Sequence, residues 1–165
     1  MSLDDLLLER CGELVHECSA RGMTVSTAES CTAGLVASSI ADVPGASTVL
    51  RGGAVTYCNE VKHKVLGVGL DTLRVHGAVS YETAREMAQG SRRVFDSDIA
   101  VSLTGYAGPG GGTPDDPTGT VYLGLSTCRS VVSHRFQFGG DRNEVRMRAA
   151  VKAIELLLDS ARNTL

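Results

Sequence analysis

Apolar and polar positions along this chain follow two rhythms, and the switches between them mark its elements. From Leu3 to Ala20, the residues Leu6, Leu7, Cys11, Leu14, Val15 and Cys18 recur three or four apart, which predicts an amphipathic helix stopped at Arg21-Gly22. Met23 to Ala28 is a short β-branched run and predicts a strand. Thr32 to Ala41 returns to the helical rhythm and is closed by Pro44-Gly45. Val49 to Tyr57 predicts a second strand, in which Gly52-Gly53 mark a bulge or a close backbone approach. Asn59 to Leu66 predicts a short helix broken by Gly67 and Gly69, and a loop then leads to His76-Gly77-Ala78-Val79. Ser80 caps a helix running to about Phe95, with Glu82, Thr83 and Glu86 suited to its first turns.

Asp98 to Leu103 predicts a third strand. Gly119 to Thr127 and Ser130 to Phe138 predict a hairpin turning at Cys128-Arg129. Asp141 then caps a last helix, buried through Met147, Ala150, Val151, Ile154, Leu157 and Leu158. Strands interleaved with helices predict an α/β fold: a three-layer α/β/α sandwich with a mixed, mostly parallel sheet of about five strands.

Composition narrows the class. The 165 residues suit a single domain over 1–165, and 42% hydrophobic with 21% charged residues describe a globular chain. A net charge of -3 argues against nucleic-acid binding. No apolar run is long enough for a membrane span and the N-terminus has no signal-peptide pattern, so a cytoplasmic protein is expected. The five cysteines form no C-x-x-C pair and no zinc spacing, which predicts free thiols and no metal.

The stretch Thr27-Ala28-Glu29-Ser30-Cys31-Thr32 sits where a strand turns into a helix. Ser30 there has two readings: a helix cap, or a nucleophile followed by free backbone N–H groups able to hold an oxyanion. A serine needs a base. Lys62 falls inside the apolar arc of Val61, Val65 and Leu66, and a lysine held in an apolar place has a lowered pKa and can accept a proton. A snorkelling lysine is the plainer reading. Cys31 with His63 or His76 is a second nucleophile–base arrangement.

Tyr57 and Asn59 flank the helix of Lys62, as orienting groups or as a strand end and a cap. The loop Thr104-Gly105-Tyr106-Ala107-Gly108-Pro109-Gly110-Gly111-Gly112 follows a strand, as ligand loops do, yet lacks the G-K-[ST] of a P-loop. Arg142 and Arg146 are one turn apart near the start of the last helix. Cations there oppose the helix dipole, so an anion site is one explanation and a solvated basic stripe the other.

Taken in order, these motifs resemble one family. Thr27 to Thr32, Thr56-Tyr57-Cys58-Asn59-Glu60-Val61-Lys62 and His76-Gly77-Ala78-Val79-Ser80 are followed by Gly105-Tyr106-Ala107-Gly108-Pro109 and Pro117-Thr118-Gly119-Thr120-Val121-Tyr122. Gly140-Asp141-Arg142 and Val145-Arg146 complete the set. The pattern is similar to the CinA C-terminal domain family, whose active members are nicotinamide-nucleotide amidases of the PncC type. The resemblance implies a stand-alone, homo-oligomeric hydrolase of a linear carboxamide C–N bond in pyridine nucleotide salvage. It would convert nicotinamide mononucleotide to nicotinic acid mononucleotide and ammonia through a Ser-Lys dyad and an acyl-enzyme, with no cofactor.

On that resemblance Ser30 is the nucleophile and Lys62 the base, and Tyr57, Thr104 and Arg142 match active-site positions. Glu29, Cys31, Thr32, Asn59, Gly105, Gly108, Gly119 and Arg146 join Arg142 as expected substrate-binding residues. Tyr106 and Asp116 depart from the family pattern, and Asp116 would put negative charge beside a phosphate site. The alternatives are a non-catalytic nucleotide-binding or regulatory module, or a hydrolase based on Cys31.

Overall fold

A computed structural model describes residues 1–163. Its core is a five-stranded sheet in the order β2-β1-β3-β4-β5. The strands are β1 (Val25–Glu29), β2 (Leu50–Val55), β3 (Ile99–Gly105), β4 (Thr120–Ser126) and β5 (Val131–Gln137). β1 runs parallel to β2 and β3, and β4 runs antiparallel to β3 and β5. Four strands therefore point the same way and β4 alone is reversed, so the sheet is mixed, as expected, with two parallel and two antiparallel pairings.

Helices α1 (Leu3–Arg21), α2 (Leu35–Ala41) and α6 (Arg142–Asn163) cover one face, and α3 (Asn59–Leu66), α4 (Leu70–His76) and α5 (Tyr81–Phe95) cover the other. The two faces are built differently. Val25, Ile99, Val101, Leu103, Val121 and Leu123 point into the larger core with α1, α2 and α6. At alternate positions Ser26, Ala28, Ala100, Ser102 and Gly124 are small, and Tyr122 packs edge-on against Tyr81 of α5. The small residues let α5 lie close, with the Ser102 hydroxyl donating to the Ala84 carbonyl at 2.5 Å. Such alternation on a strand buried on both sides puts bulk into the larger core and close backbone contact on the face of α5.

Differences from the expected elements have local causes. α2 begins at Leu35, not Thr32, because residues 31–34 turn through positive φ at Ala33 (51°) and Gly34 (95°). The segment after Gly69 is a helix, α4, rather than a loop. Its first turn is held from outside by Glu86, whose carboxylate accepts from the Gly69 amide and the Thr72 hydroxyl, both at 2.7 Å. Residues Ala46–Thr48 add a 3-10 turn. Gly52 and Gly53 mark both features their sequence suggested. The register slips at Val25/Ser26, and a Cβ on Gly53 would sit 2.4 Å from the Thr27 hydroxyl. No helix among the described residues is long and apolar enough to cross a membrane.

Candidate active site

β1 sends the chain to β2 on one side, and the sheet then resumes with β3 on the other. The crevice beyond the carboxyl ends of β1 and β3 is thus a topological switch point, the place where open α/β sheets leave room for a ligand. Ser30 follows β1 and Thr104-Gly105 end β3, so both open onto it. A cavity of about 240 Å³ lies there and is lined by Ser30, Cys31, Tyr57, Lys62, Thr104, Gly105, Gly108 and Arg142 among the expected residues. Ala78, Val79, Tyr106, Ala107 and Gly110 complete the wall.

Lys62 enters from α3. Only 1% exposed, it lies on the buried face of that helix with Leu66. Its Nζ is 2.9 Å from Ser30 Oγ, 2.8 Å from the Thr56 carbonyl and 3.3 Å from the Tyr57 carbonyl. Burial pushes its pKa below the ordinary lysine value. Once deprotonated, the amine has two N–H groups and one lone pair. The two carbonyls take the N–H groups, and the lone pair is left for the Ser30 hydroxyl proton. This is the arrangement a general base requires.

Several expected residues are placed elsewhere. Glu29 is fully buried and reaches away from the cavity. Its carboxylate accepts from the amides of Gly34 (3.0 Å), Val36 (3.1 Å) and Ala37 (2.9 Å), so it, rather than Ser30 or Thr32, caps α2. Thr32 is fully buried outside the lining. Asn59 starts α3 and also lies outside it. Gly119 lies outside the lining, and a Cβ there would stand 2.2 Å from the Phe138 carbonyl oxygen, which accounts for the glycine. The Arg146 guanidinium donates to the carbonyls of Cys31 (3.1 Å) and Thr32 (3.0 Å), beneath the turn that follows Ser30.

Thr104 donates its hydroxyl proton to the Ala78 carbonyl at 2.7 Å, so that proton is not available to an oxyanion. Arg142 donates to the Gly108 carbonyl (2.6 Å) and the Tyr57 hydroxyl (3.0 Å), tying the glycine loop to the end of β2. Asp116 does not line the cavity, and its carboxylate accepts from Arg135 (2.8 Å) and Tyr122 (3.0 Å), which compensates the charge that sequence placed near an anion site. Neither His63 nor His76 lines the cavity: His63 Nδ1 is 2.7 Å from the Val68 carbonyl oxygen, and His76 is 3.6 Å from Glu82. Burial pushes the Cys31 thiol up to about 11. Among the described residues no group of three or more His, Cys, Asp or Glu side chains is arranged to hold a metal ion.

The model of the CinA C-terminal domain family matches residues 9–161. The chain belongs to that family. A putative competence-damage inducible protein of Caldanaerobacter subterraneus is 50% identical over 83% of this chain, and a CinA-like protein of Kosmotoga olearia is 52% identical over 82%. The match spans 33% of each of those relatives, so this chain corresponds to about a third of their length. Among solved structures, the competence/damage inducible protein CihA from Agrobacterium tumefaciens is 38% identical with a TM-score of 0.92 over 96% of both chains. A CinA superfamily protein from Klebsiella pneumoniae is 33% identical with a TM-score of 0.92, over 96% of this chain and 99% of its own.

Proposed function

We propose that this CinA-family chain is a nicotinamide-nucleotide amidase. The observation that carries the reading is the buried Lys62 amine, 2.9 Å from Ser30 Oγ with its other hydrogens engaged by two carbonyls. Neutral Lys62 takes the Ser30 proton as Oγ attacks the carboxamide carbon. The Cys31 amide, the first N–H after the nucleophile, has no acceptor in another residue among those described, and it donates to the oxyanion. Lys62 then returns its proton to the departing ammonia, leaving an acyl-serine that water hydrolyses to the carboxylate.

The raised Cys31 thiol and the remote histidines favour serine over cysteine as the nucleophile. The remaining donors of Arg142, at the glycine-loop end of the cavity, bind the phosphate of nicotinamide mononucleotide.

An ammonia-release assay across nicotinamide mononucleotide, nicotinamide riboside and free nicotinamide tests the reading. Turnover is expected with the mononucleotide above the other two, and a loss of at least about 10³-fold in Ser30→Ala and in Lys62→Ala with the fold intact. Near-normal turnover by either variant defeats the dyad. A calorimetric signal for the mononucleotide without ammonia from the wild type would indicate a binding module.

A further inference from the structure

Arg146 is placed among the substrate-binding residues by sequence, yet its guanidinium is turned away from the cavity and bonded to two consecutive backbone carbonyls. Those carbonyls belong to Cys31 and Thr32, the two residues after the proposed nucleophile. A bidentate guanidinium fork on successive carbonyls fixes the path of the chain between them, which a lysine's single ammonium does less well. The turn also contains Ala33 at φ 51°, a conformation that a non-glycine residue keeps only when its surroundings enforce it.

The hydrogen bonds continue beyond the guanidinium. Arg146 Nη2 donates to the Thr32 carbonyl, whose peptide partner is the Ala33 N–H. That N–H donates to the Ser30 carbonyl at 3.1 Å, whose peptide partner is the Cys31 N–H. Charge at one end of such a chain polarises every link, because each carbonyl that accepts a bond makes the N–H of its own peptide a stronger donor. The chain ends at Cys31, on the cavity wall beside Ser30.

We propose that Arg146 is a positioning residue for acyl transfer: it locks the 30–33 turn and, through two peptide units, strengthens the Cys31 N–H as an oxyanion donor. The inference rests on Ser30 being the nucleophile but not on the identity of the amide substrate. It differs from a phosphate-binding role, since the guanidinium bonds to backbone under the turn.

The test uses a small serine-directed reagent, diisopropyl fluorophosphate, so that it runs without the proposed substrate. In its reaction Ser30 Oγ displaces fluoride from phosphorus and its proton leaves through Lys62. Intact mass should show one adduct on the wild type that is missing in Ser30→Ala. In Arg146→Met the maximal labelling rate is expected to fall at least about tenfold, short of the 10²–10³-fold seen when an oxyanion donor is deleted. The half-saturating reagent concentration and the acid limb of the pH profile, which report the cavity and Lys62, should stay in place. Arg146→Lys should recover part of the rate.

Labelling of Arg146→Met at the wild-type rate, or a loss matched by weaker reagent binding and a collapsed melting transition, overturns the positioning role. Absence of any Ser30 adduct on the wild type overturns it together with the nucleophile. Normal labelling behaviour with no ammonia from nicotinamide mononucleotide removes the proposed substrate and leaves the role of Arg146 standing.

Discussion

Replacing Gly90 by alanine separates helix propensity from tertiary packing. Gly90 is buried inside α5, and in an isolated helix the exchange stabilises by about 1 kcal/mol. Here the added Cβ would stand 2.0 Å from the Leu66 carbonyl oxygen, 2.8 Å from its carbon and 2.9 Å from its Cβ. Contact between such atoms is comfortable at about 3.5 Å, so α3 and α5 must part by more than an ångström. The obstacle is backbone, and no rotamer change relieves it. The same carbonyl accepts from Arg93 Nη2 at 2.8 Å, and Leu66 and Met87 pack together in the smaller core, so parting the helices loosens both.

Overpacking of this kind costs about 1–3 kcal/mol, and against backbone the upper end applies. Net of propensity, Gly90→Ala should be destabilised by about 1–2 kcal/mol, lowering Tm by roughly 2–8 °C for a chain of this size. Because Lys62 is one turn before Leu66 on α3, a displacement near 1 Å should also cut ammonia release by about 10²-fold. Circular-dichroism melting and the ammonia assay read the two effects on one preparation. A Tm above the wild type, as propensity alone predicts, would show that α5 does not sit against α3 in this way.

Glu29→Ala orphans three amides at the start of α2. The Val36 amide is buried and those of Gly34 and Ala37 part-buried, so the variant should lose at least about 1–3 kcal/mol in urea unfolding, and an unchanged stability would contradict the cap. Lys62 gives a pH signature. At low pH it is protonated and cannot act as a base, so kcat/KM should rise with pH through a limb below the ordinary lysine range, and a limb in that ordinary range would contradict a buried base.

Stability has the same sign. Between the lowered folded pKa and the ordinary lysine value of 10.5 the unfolded chain binds more protons, so the Lys62 contribution to stability rises with pH across that window; Lys62→Met should remove the slope in urea unfolding followed against pH. Iodoacetamide on the native protein should add at Cys58 and Cys128, which are exposed, and spare Cys11, Cys18 and Cys31, whose thiols burial raises to about 12, 11 and 11. Intact mass reads this directly, and rapid native alkylation at Cys31 would reopen the cysteine reading.

Much of the scaffold was legible because it rests on local rules. The bounds of α3, the Ser80 cap of α5 and the Asp141–Glu144 box at the start of α6 all follow from short-range chemistry. Periodicity puts Lys62 on an apolar arc with Val61, Val65 and Leu66; in the structure Val65 is 40% exposed, and the buried line runs from Lys62 to Leu66. What the sequence concealed is direction. A carboxylate at a strand end and an arginine at a helix start look alike whether they point at a ligand or at their own backbone. Glu29 turns back to α2 and Arg146 turns under Cys31 because amides and carbonyls of the same turn need partners. α4 was hidden for a related reason, since its cap comes from Glu86 on another helix.

These two side chains together change where the positive potential of the site comes from. A serine at a strand-to-helix turn invites the view that the helix dipole stabilises the oxyanion. Here the Glu29 carboxylate sits on the first amides of α2, offsets the positive end of that dipole and leaves α2 with little to offer the cavity. Arg146, from α6, supplies the opposite charge to the other side of the same turn. The turn is clamped by an anion on its amides and a cation on its carbonyls. Both clamp charges act through peptide groups, so at this turn the cavity meets polarised backbone, and the bare guanidinium on its wall is that of Arg142, held on the Gly108 carbonyl and the Tyr57 hydroxyl. A neutral amine at Lys62 fits such a place, since a bare carboxylate beside it would restore its proton and a bare guanidinium would compete for Ser30 Oγ.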